Sequence, residues 1–119
     1  GRGTVDLKRY GIQPVVAAAR LLSLKNGVSE VSTLARIEAL AAAGVFSADR
    51  RDEVAHAFRT VADILLRGQI ASFEAGERVT NRIAPAALSR RQRDDLRAAF
   101  RTIDGFCDGT RAELTGRVM

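Results

Sequence analysis

The sequence has few of the residues on which disulfides, metal sites and aromatic cores depend. It contains one cysteine, one histidine, one tyrosine and no tryptophan among 119 residues. A single cysteine excludes an internal disulfide, and with only one histidine beside it no ordinary zinc site can form. Two prolines leave room for long uninterrupted helices. Because aromatic residues make up only 5%, the core must be built from Leu, Val, Ile, Ala and five Phe.

Segments for export and for membrane insertion are missing as well. No stretch approaches the roughly 20 apolar residues of a membrane span. The chain begins Gly1-Arg2-Gly3-Thr4 without an initiator Met or an apolar signal segment. We therefore expect a cytoplasmic piece of a longer protein, with no membrane partner.

The sequence also lacks the common motifs of enzymes that act on phosphates or esters. It has no glycine-rich phosphate loop, no pair of carboxylates at a strand end and no Gly-x-Ser-x-Gly. Without a carboxylate pair it has no means of holding Mg²⁺ for nucleotide chemistry. The sequence thus predicts no catalytic residues, no metal site and no cofactor in this domain.

Positive charge is in excess and comes almost entirely from arginine, with 19 Lys and Arg against 14 acidic residues. An Arg cluster lies near the start of the last predicted helix: Arg82, Arg90, Arg91, Arg93, Arg97 and Arg101. Asp94 and Asp95 partly balance it. Neither an aromatic platform nor a recognised nucleic-acid motif accompanies the cluster. A solvated face is the favoured interpretation, and nucleic acid is not an expected partner.

Apolar periodicity and capping residues predict four helices. We expect them over 14–26, 33–43, 48–75 and from 90 towards the end of the chain. Pro14 suits a first helical turn, and Ser32, Ser47 and Ser89 suit N-caps. Gln92 completes a capping box with Ser89. The glycines at 27, 44 and 76 are typical of helix ends.

The fold predicted from these helices is all-α. It is an up-and-down bundle of four main helices in one domain, 1–119, with a short irregular N-terminal segment over 1–12. The first helix is apolar on nearly every side, which predicts that it is buried. A bend near Gly68 is expected, because a straight third helix of about 42 Å exceeds what a globule of this size needs.

The inward faces of the two long helices follow from their periodicity. In the third helix the predicted inner residues are Val54, Phe58, Val61, Leu65, Gly68 and Ser72. In the last helix they are Leu96, Phe100, Ile103, Cys107 and Leu114. On this face Cys107 is expected to be an inert, buried small side chain.

Arg20 and Arg67 stand out because each interrupts an apolar stretch. A buried, unpaired charge costs several kcal/mol. Each side chain therefore reaches the surface along its stem, pairs with an acid or awaits an anionic ligand. Structural pairing is the favoured hypothesis, with a ligand or interdomain contact as the alternative.

The lone histidine allows an enzymatic alternative. His56 follows Arg51 by five residues, and this spacing resembles the Arg-x4-His signature of HEPN ribonucleases, which are also helical bundles. The resemblance implies phosphate-transfer chemistry at a dimer cleft by Arg51 and His56. A surface histidine beside the core residue Phe58 is the favoured interpretation.

Several short strings, in order and over 5–106, together resemble one family. They are Val5-Asp6-Leu7-Lys8, Pro14-Val15-Val16, Ala19-Arg20-Leu21-Leu22-Ser23-Leu24, Ser32-Thr33 with Arg36-Ile37 and Leu40, Leu66-Arg67-Gly68-Gln69-Ile70, Asn81-x-Ile83 before Pro85, and Leu88-Ser89. The chain resembles the substrate-binding domain that follows a nucleotidyltransferase domain in bacterial signal-transduction proteins, often with CBS and cyclic-nucleotide-binding-like modules. Gly68, where a larger residue is usual, and Tyr10, in place of a second glycine, depart from the family pattern.

This resemblance implies a non-catalytic docking or substrate-binding domain. Its partners would be the catalytic domain of the same parent chain and a nucleotide or acceptor protein, with Mg²⁺ and a nucleoside triphosphate serving the parent enzyme. The candidate substrate-binding residues are Arg20, Thr33, Arg36, Arg67 and Gln69. Guanidinium groups would hold phosphate or carboxylate, and Gln69 would recognise a base or amide edge. A HEPN-like ribonuclease and a purely structural interdomain packing module are the alternatives.

Overall fold

Four α-helices form the body of the protein in a computed structural model that describes residues 3–116. They are α1 (Gln13–Asn26), α2 (Thr33–Ala42), α3 (Ala48–Glu74) and α4 (Arg90–Thr115). Each packs against its neighbour in sequence, and α4 also packs against α1, which closes the bundle. The prediction of an all-α bundle of four main helices is confirmed.

The helix boundaries follow from side-chain caps. The Ser32, Ser47 and Ser89 hydroxyls each accept a hydrogen bond from the backbone N–H three residues on. Oε1 of Gln92 in turn accepts a hydrogen bond from the Ser89 backbone N–H, which completes the predicted capping box. Gly27, which ends α1, adopts a positive φ of 69° that favours glycine.

The N-terminal segment is more ordered than expected. Strand β1 (Val5–Asp6) is followed by a π-helical turn (Lys8–Ile12) that runs directly into α1. The prediction of an irregular segment over 1–12 is therefore wrong for 5–12. The wider turn also suits Pro14, since Gln13 bonds back to the Lys8 carbonyl five residues away and the proline nitrogen needs no partner of its own.

A two-residue antiparallel pairing ties this segment to the far half of the chain. Strand β1 pairs with β2 (Arg82–Ile83) in the register Val5 to Ile83 and Asp6 to Arg82. The Leu7 backbone also donates a 2.9 Å hydrogen bond to the Asn81 carbonyl. No strand was expected from the sequence, so this small sheet is a correction. A short 3₁₀ turn, Pro85–Ala87, links β2 to α4.

The core is aliphatic, as the composition predicts. The residues with no exposed surface include Leu7, Val15, Ile37, Leu40, Val54 and Val61. Gly11 belongs to it too, because the π-helical turn lies so close to α3 that a Cβ there would stand 2.7 Å from Cγ1 of Val61.

Two predictions about helix faces need correction. α1 is not buried all round: Ala17, Arg20, Leu21 and Leu24 are exposed on one side of it. In α4 the centre of the buried face includes Ala99, Phe106 and Thr110, which periodicity missed, whereas Leu114 is 37% exposed. The inner face of α4 is thus rotated from the predicted one, and Cys107 lies at its edge, half-buried.

The molecule is elongated, 47 Å in its longest dimension. At 1.5 Å per residue α3 alone accounts for roughly 40 Å. α3 is one continuous helix through Gly68, and the elongated shape of the molecule accommodates its full length. Whether α3 bends near Gly68 stays a prediction. Among residues 3–116, no helix combines the length and the apolar character needed to cross a membrane.

Candidate functional site

A partly open cavity of about 170 Å³ lies where α1, α3 and α4 meet the α2–α3 loop. Its lining is Leu22, Val45, Phe46, Arg50, Gly105, Phe106, Gly109, Thr110 and Glu113. Most of these residues are apolar or small, and only two carry charge. An apolar recess with a few polar groups is the usual form of a small-molecule site.

Arg50 is the polar group that makes this cavity a candidate site. It lies in the first turn of α3, where its backbone N–H is held by the Ser47 cap at 3.0 Å. The residue is half-buried, and its guanidinium has no hydrogen-bond or ion-pair partner among residues 3–116. A guanidinium offers five N–H donors in a planar fork that matches a carboxylate or phosphate. Arg50 can therefore bind an anion without breaking an existing bond.

Two glycines of α4 shape one side of the cavity. A Cβ added at Gly105 would lie 3.2 Å from Nη2 of Arg50, so the guanidinium rests close over the helix backbone. A Cβ at Gly109, one turn on, would meet nothing within 4 Å. As residues in a helix interior, the two glycines weaken α4 by up to about 1 kcal/mol each relative to alanine. In the structure they leave the space that the cavity occupies.

An aromatic pair forms part of the apolar wall. Phe46 and Phe106 meet edge to face, with ring centroids 5.9 Å apart and planes at 85°. Phe106 is almost fully buried and Phe46 is half-buried. The nearby Thr110 hydroxyl donates to the Phe106 carbonyl at 2.8 Å, and so is already used within α4.

The second charge in the lining, Glu113, is already paired. Nζ of Lys25 lies 3.4 Å from its carboxylate and donates to its backbone carbonyl at 2.7 Å. This pair joins the end of α1 to the end of α4. Arg50 is consequently the one charged group of the lining that has no partner among the described residues.

Two further cavities are lined mostly by charged residues. One of about 210 Å³ between α2 and α3 is lined by Arg51, Arg59, Asp52 and Glu38, whose formal charges cancel. Another, of about 310 Å³, lies beside the N-terminal segment and includes Asp6, Lys8 and Arg9 among its lining residues.

The five predicted substrate-binding residues are dispersed over three helices. Arg20 lies on α1, Thr33 and Arg36 in the first turns of α2, and Arg67 and Gln69 in the second half of α3. None of the five lines any of the three cavities described above. No hydrogen bond or ion pair within residues 3–116 joins any two of them, so a shared site made from them stays a prediction.

Arg20 is exposed and has no partner among the described residues, which removes the premise that it is a buried charge. Arg67 fits the expected structural pairing, because its Nε donates to Oδ2 of Asp63 at 2.8 Å. Both side chains of that pair are exposed, and exposed pairs of this spacing contribute only about 0.3–0.5 kcal/mol.

The other three differ in how far they are already engaged. Nε of Arg36 donates to the Glu30 carbonyl at 2.8 Å, and Thr33 is half-buried beside the Ser32 cap. Nε2 of Gln69 donates to the Thr80 carbonyl at 3.0 Å and to Asn81 at 3.1 Å. Gln69 therefore fixes the loop that leads to β2, and only its amide oxygen is left for a ligand.

The residues of the ribonuclease alternative do not form a site within one chain. Nε of Arg51 donates to Asp52 at 2.9 Å, and this hydrogen bond with the charge of Asp52 raises the pKa of Arg51. His56 is exposed on α3. Five residues along an α-helix turn the two side chains about 140° apart. They point to different sides of α3.

An exposed apolar stripe on α3 lies away from the cavity. Leu66, Ile70 and Phe73 are 55%, 47% and 76% exposed. Their spacing of four and three residues places them on one helix face. Exposed large side chains that are contiguous indicate a contact surface more than scattered ones do.

No three His, Cys, Asp or Glu side chains within residues 3–116 are grouped so that they could hold a metal ion.

A family model described as "Putative nucleotidyltransferase substrate binding domain" matches residues 1–114. No curated protein and no solved structure matches the chain.

Proposed function

The chain belongs to the nucleotidyltransferase substrate-binding domain family, and from that premise we propose that it holds the acceptor while a catalytic domain of the same parent chain transfers the nucleotide. The domain itself performs no chemistry in this proposal. Mg²⁺ and the nucleoside triphosphate belong to the catalytic domain, whose parent would be a bacterial signal-transduction protein of the cytoplasm.

The observation that carries this proposal is the unpartnered guanidinium of Arg50 in the cavity of α1, α3 and α4. A half-buried charge without a partner is unfavourable in the empty protein. A bound anion would remove that cost and would be fixed in orientation by two parallel N–H donors. Such orientation is what an accessory domain can contribute to a transfer reaction.

The test is nucleotidyl transfer by the parent protein in an extract of its own cells, followed with triphosphates labelled at the α-phosphate. Gly109→Leu fills the cavity and improves helix propensity, so the fold should hold. Acceptor labelling should be lost while slow hydrolysis of the triphosphate by the catalytic domain continues. The control is Ala98→Leu, which adds the same side chain to the exposed face of α4. Undiminished labelling in folded Gly109→Leu would overturn the proposal.

The stripe of Leu66, Ile70 and Phe73 favours a second candidate, a module that packs against the catalytic domain. Phe73→Asp in the parent protein would then release that contact and speed limited proteolysis between the domains. Leu24→Asp, at another exposed leucine, is the control and should leave the cleavage rate unchanged. Equal cleavage of the wild-type and Phe73→Asp proteins would argue against this interface.

A further inference from the structure

We propose that the cavity of α1, α3 and α4 takes a small organic monoanion, an acid with one carboxylate and an apolar body about the size of one ring. This inference rests on the proposed function, since it names the class of substrate that the domain would hold. Three properties of the cavity support it: its volume, its charge and its walls.

The volume limits the ligand to a compact molecule. A cavity of about 150 Å³ accommodates benzene, and this one measures about 170 Å³. Sites for larger, drug-sized ligands usually span about 300–1,000 Å³. A whole nucleoside triphosphate therefore does not fit inside, whereas a single ring with one small polar group does.

The charge of the lining selects a monoanion. Arg50 supplies one free positive charge, and the Glu113 carboxylate on the same cavity is already neutralised by Lys25. One guanidinium fork matches one carboxylate with two hydrogen bonds. A triphosphate would bring several negative charges to a lining with one unpaired positive charge, Arg50, so most of its charge would lose hydration without gaining a partner.

The walls explain why the anion should carry an apolar body. The apolar part of the lining consists of Leu22, Val45 and the Phe46–Phe106 pair. An inorganic ion has no apolar surface to bury against it and so gains no hydrophobic binding energy there. The Cβ-free backbone at Gly109 leaves room for the ring edge. Charge at one end and carbon surface at the other therefore match an acid with a ring-sized body better than free phosphate.

The experiment is an NMR titration of the ¹⁵N-labelled 119-residue chain with four probes: benzoate, benzyl alcohol, inorganic phosphate and ATP. Benzoate has both a ring and a negative charge, benzyl alcohol has only the ring, and inorganic phosphate has only the negative charge. Benzoate should shift the amides of Gly105, Phe106 and Gly109, with an affinity about tenfold or more above benzyl alcohol and phosphate.

Variants assign the binding to named residues. Arg50→Gln should weaken benzoate binding by roughly 10- to 100-fold, the loss expected for a charged hydrogen bond. Arg101 is an exposed arginine of α4 that does not line the cavity. The Arg101→Gln variant should therefore bind benzoate like the wild type. Gly109→Leu should abolish the shifts by occupying the cavity, which keeps the test decisive if Arg50→Gln fails to fold.

Equal affinities for benzoate and benzyl alcohol would overturn the inference, because the charge would then contribute nothing. Tighter binding of ATP than of benzoate at the same glycine amides would also overturn it, while leaving a substrate-binding role intact. If no probe moves these amides the inference fails by itself, since the fate of the proposed function is decided separately by acceptor labelling in the Gly109→Leu parent protein.

Discussion

At the scale of single residues, Ser23 is a buried hydroxyl without a partner. It is 3% exposed, and its Oγ makes no hydrogen bond among the described residues. An unsatisfied buried polar group costs about 1–3 kcal/mol. Ser23→Ala should therefore raise the free energy of unfolding by about 1 kcal/mol or more, measured by urea denaturation.

Part of any such gain would come from the higher helix propensity of alanine. Ser72→Ala measures that part, because Ser72 is helical but lies in the less buried second half of α3. A gain at Ser23 no larger than at Ser72 would mean that the buried hydroxyl is satisfied in solution.

Cys107 provides a second residue-scale test. Burial raises the pKa of its thiol, with Asp104 and Asp108 adding to the effect and Arg111 opposing it. Because the thiolate is the reactive form, iodoacetamide should alkylate the native protein more slowly than the urea-unfolded one. The pH midpoint of the alkylation rate should also be higher in the native state.

The same shift has a consequence for stability. A pKa raised on folding stabilises the native state below the unfolded-state pKa of the thiol, and the contribution is lost as the pH rises through the native pKa. Cys107→Ser should remove this alkaline loss. In the alkylation experiment, one common pH midpoint for the native and the unfolded protein would contradict the burial of Cys107.

The burial and the surroundings of the candidate site residues could not be predicted from the residues next to them in the sequence. The burial of Arg20 was inferred from apolar neighbours, yet Ala17, Leu21 and Leu24 are exposed beside it. Nothing local distinguishes Arg50 from Arg51 next to it. Only the packing of α4 against α1 and α3 places Arg50 in the apolar cavity, so the sequence alone could not find the site.

At the scale of elements, two glycines have opposite roles and should respond oppositely to alanine. Gly11→Ala places a methyl 2.7 Å from Cγ1 of Val61, and such overpacking costs about 1–3 kcal/mol. Gly109→Ala meets nothing within 4 Å and should stabilise α4 by up to about 1 kcal/mol. Thermal or urea unfolding of both variants measures the difference, and a neutral Gly11→Ala would show that the π-helical turn is loosely packed.

Helix ends were predictable because their determinants are local. Ser32, Ser47 and Ser89 each bond to an N–H three residues away, a distance that a short sequence window contains. β1 and β2 are two residues each, too short for any alternation, and are fixed by partners 76 or more positions apart. Their existence depends on tertiary packing and could not be predicted from local pattern.

At the scale of the whole molecule, the purified chain should neither transfer nor hydrolyse nucleotides. The expected reason is that a carboxylate pair holding Mg²⁺ belongs to the catalytic domain. Incubation of the 119-residue chain with each of the four ribonucleoside triphosphates and Mg²⁺ should leave them intact by ion-exchange chromatography. Turnover of the triphosphates that co-purifies with the chain would contradict this prediction.

The pairing of β1 with β2 has a consequence for the order of folding events. Joining Val5 to Ile83 closes a loop that contains three of the four α-helices, and the entropy of closing so long a loop must be overcome before the bond contributes. Helices, whose contacts are local, form faster. Ile83→Ala should accordingly accelerate unfolding in stopped-flow experiments while leaving the refolding rate nearly unchanged. The N-terminal segment would thus pair with the connection between α3 and α4 in the last step, after the rate-limiting barrier has been crossed.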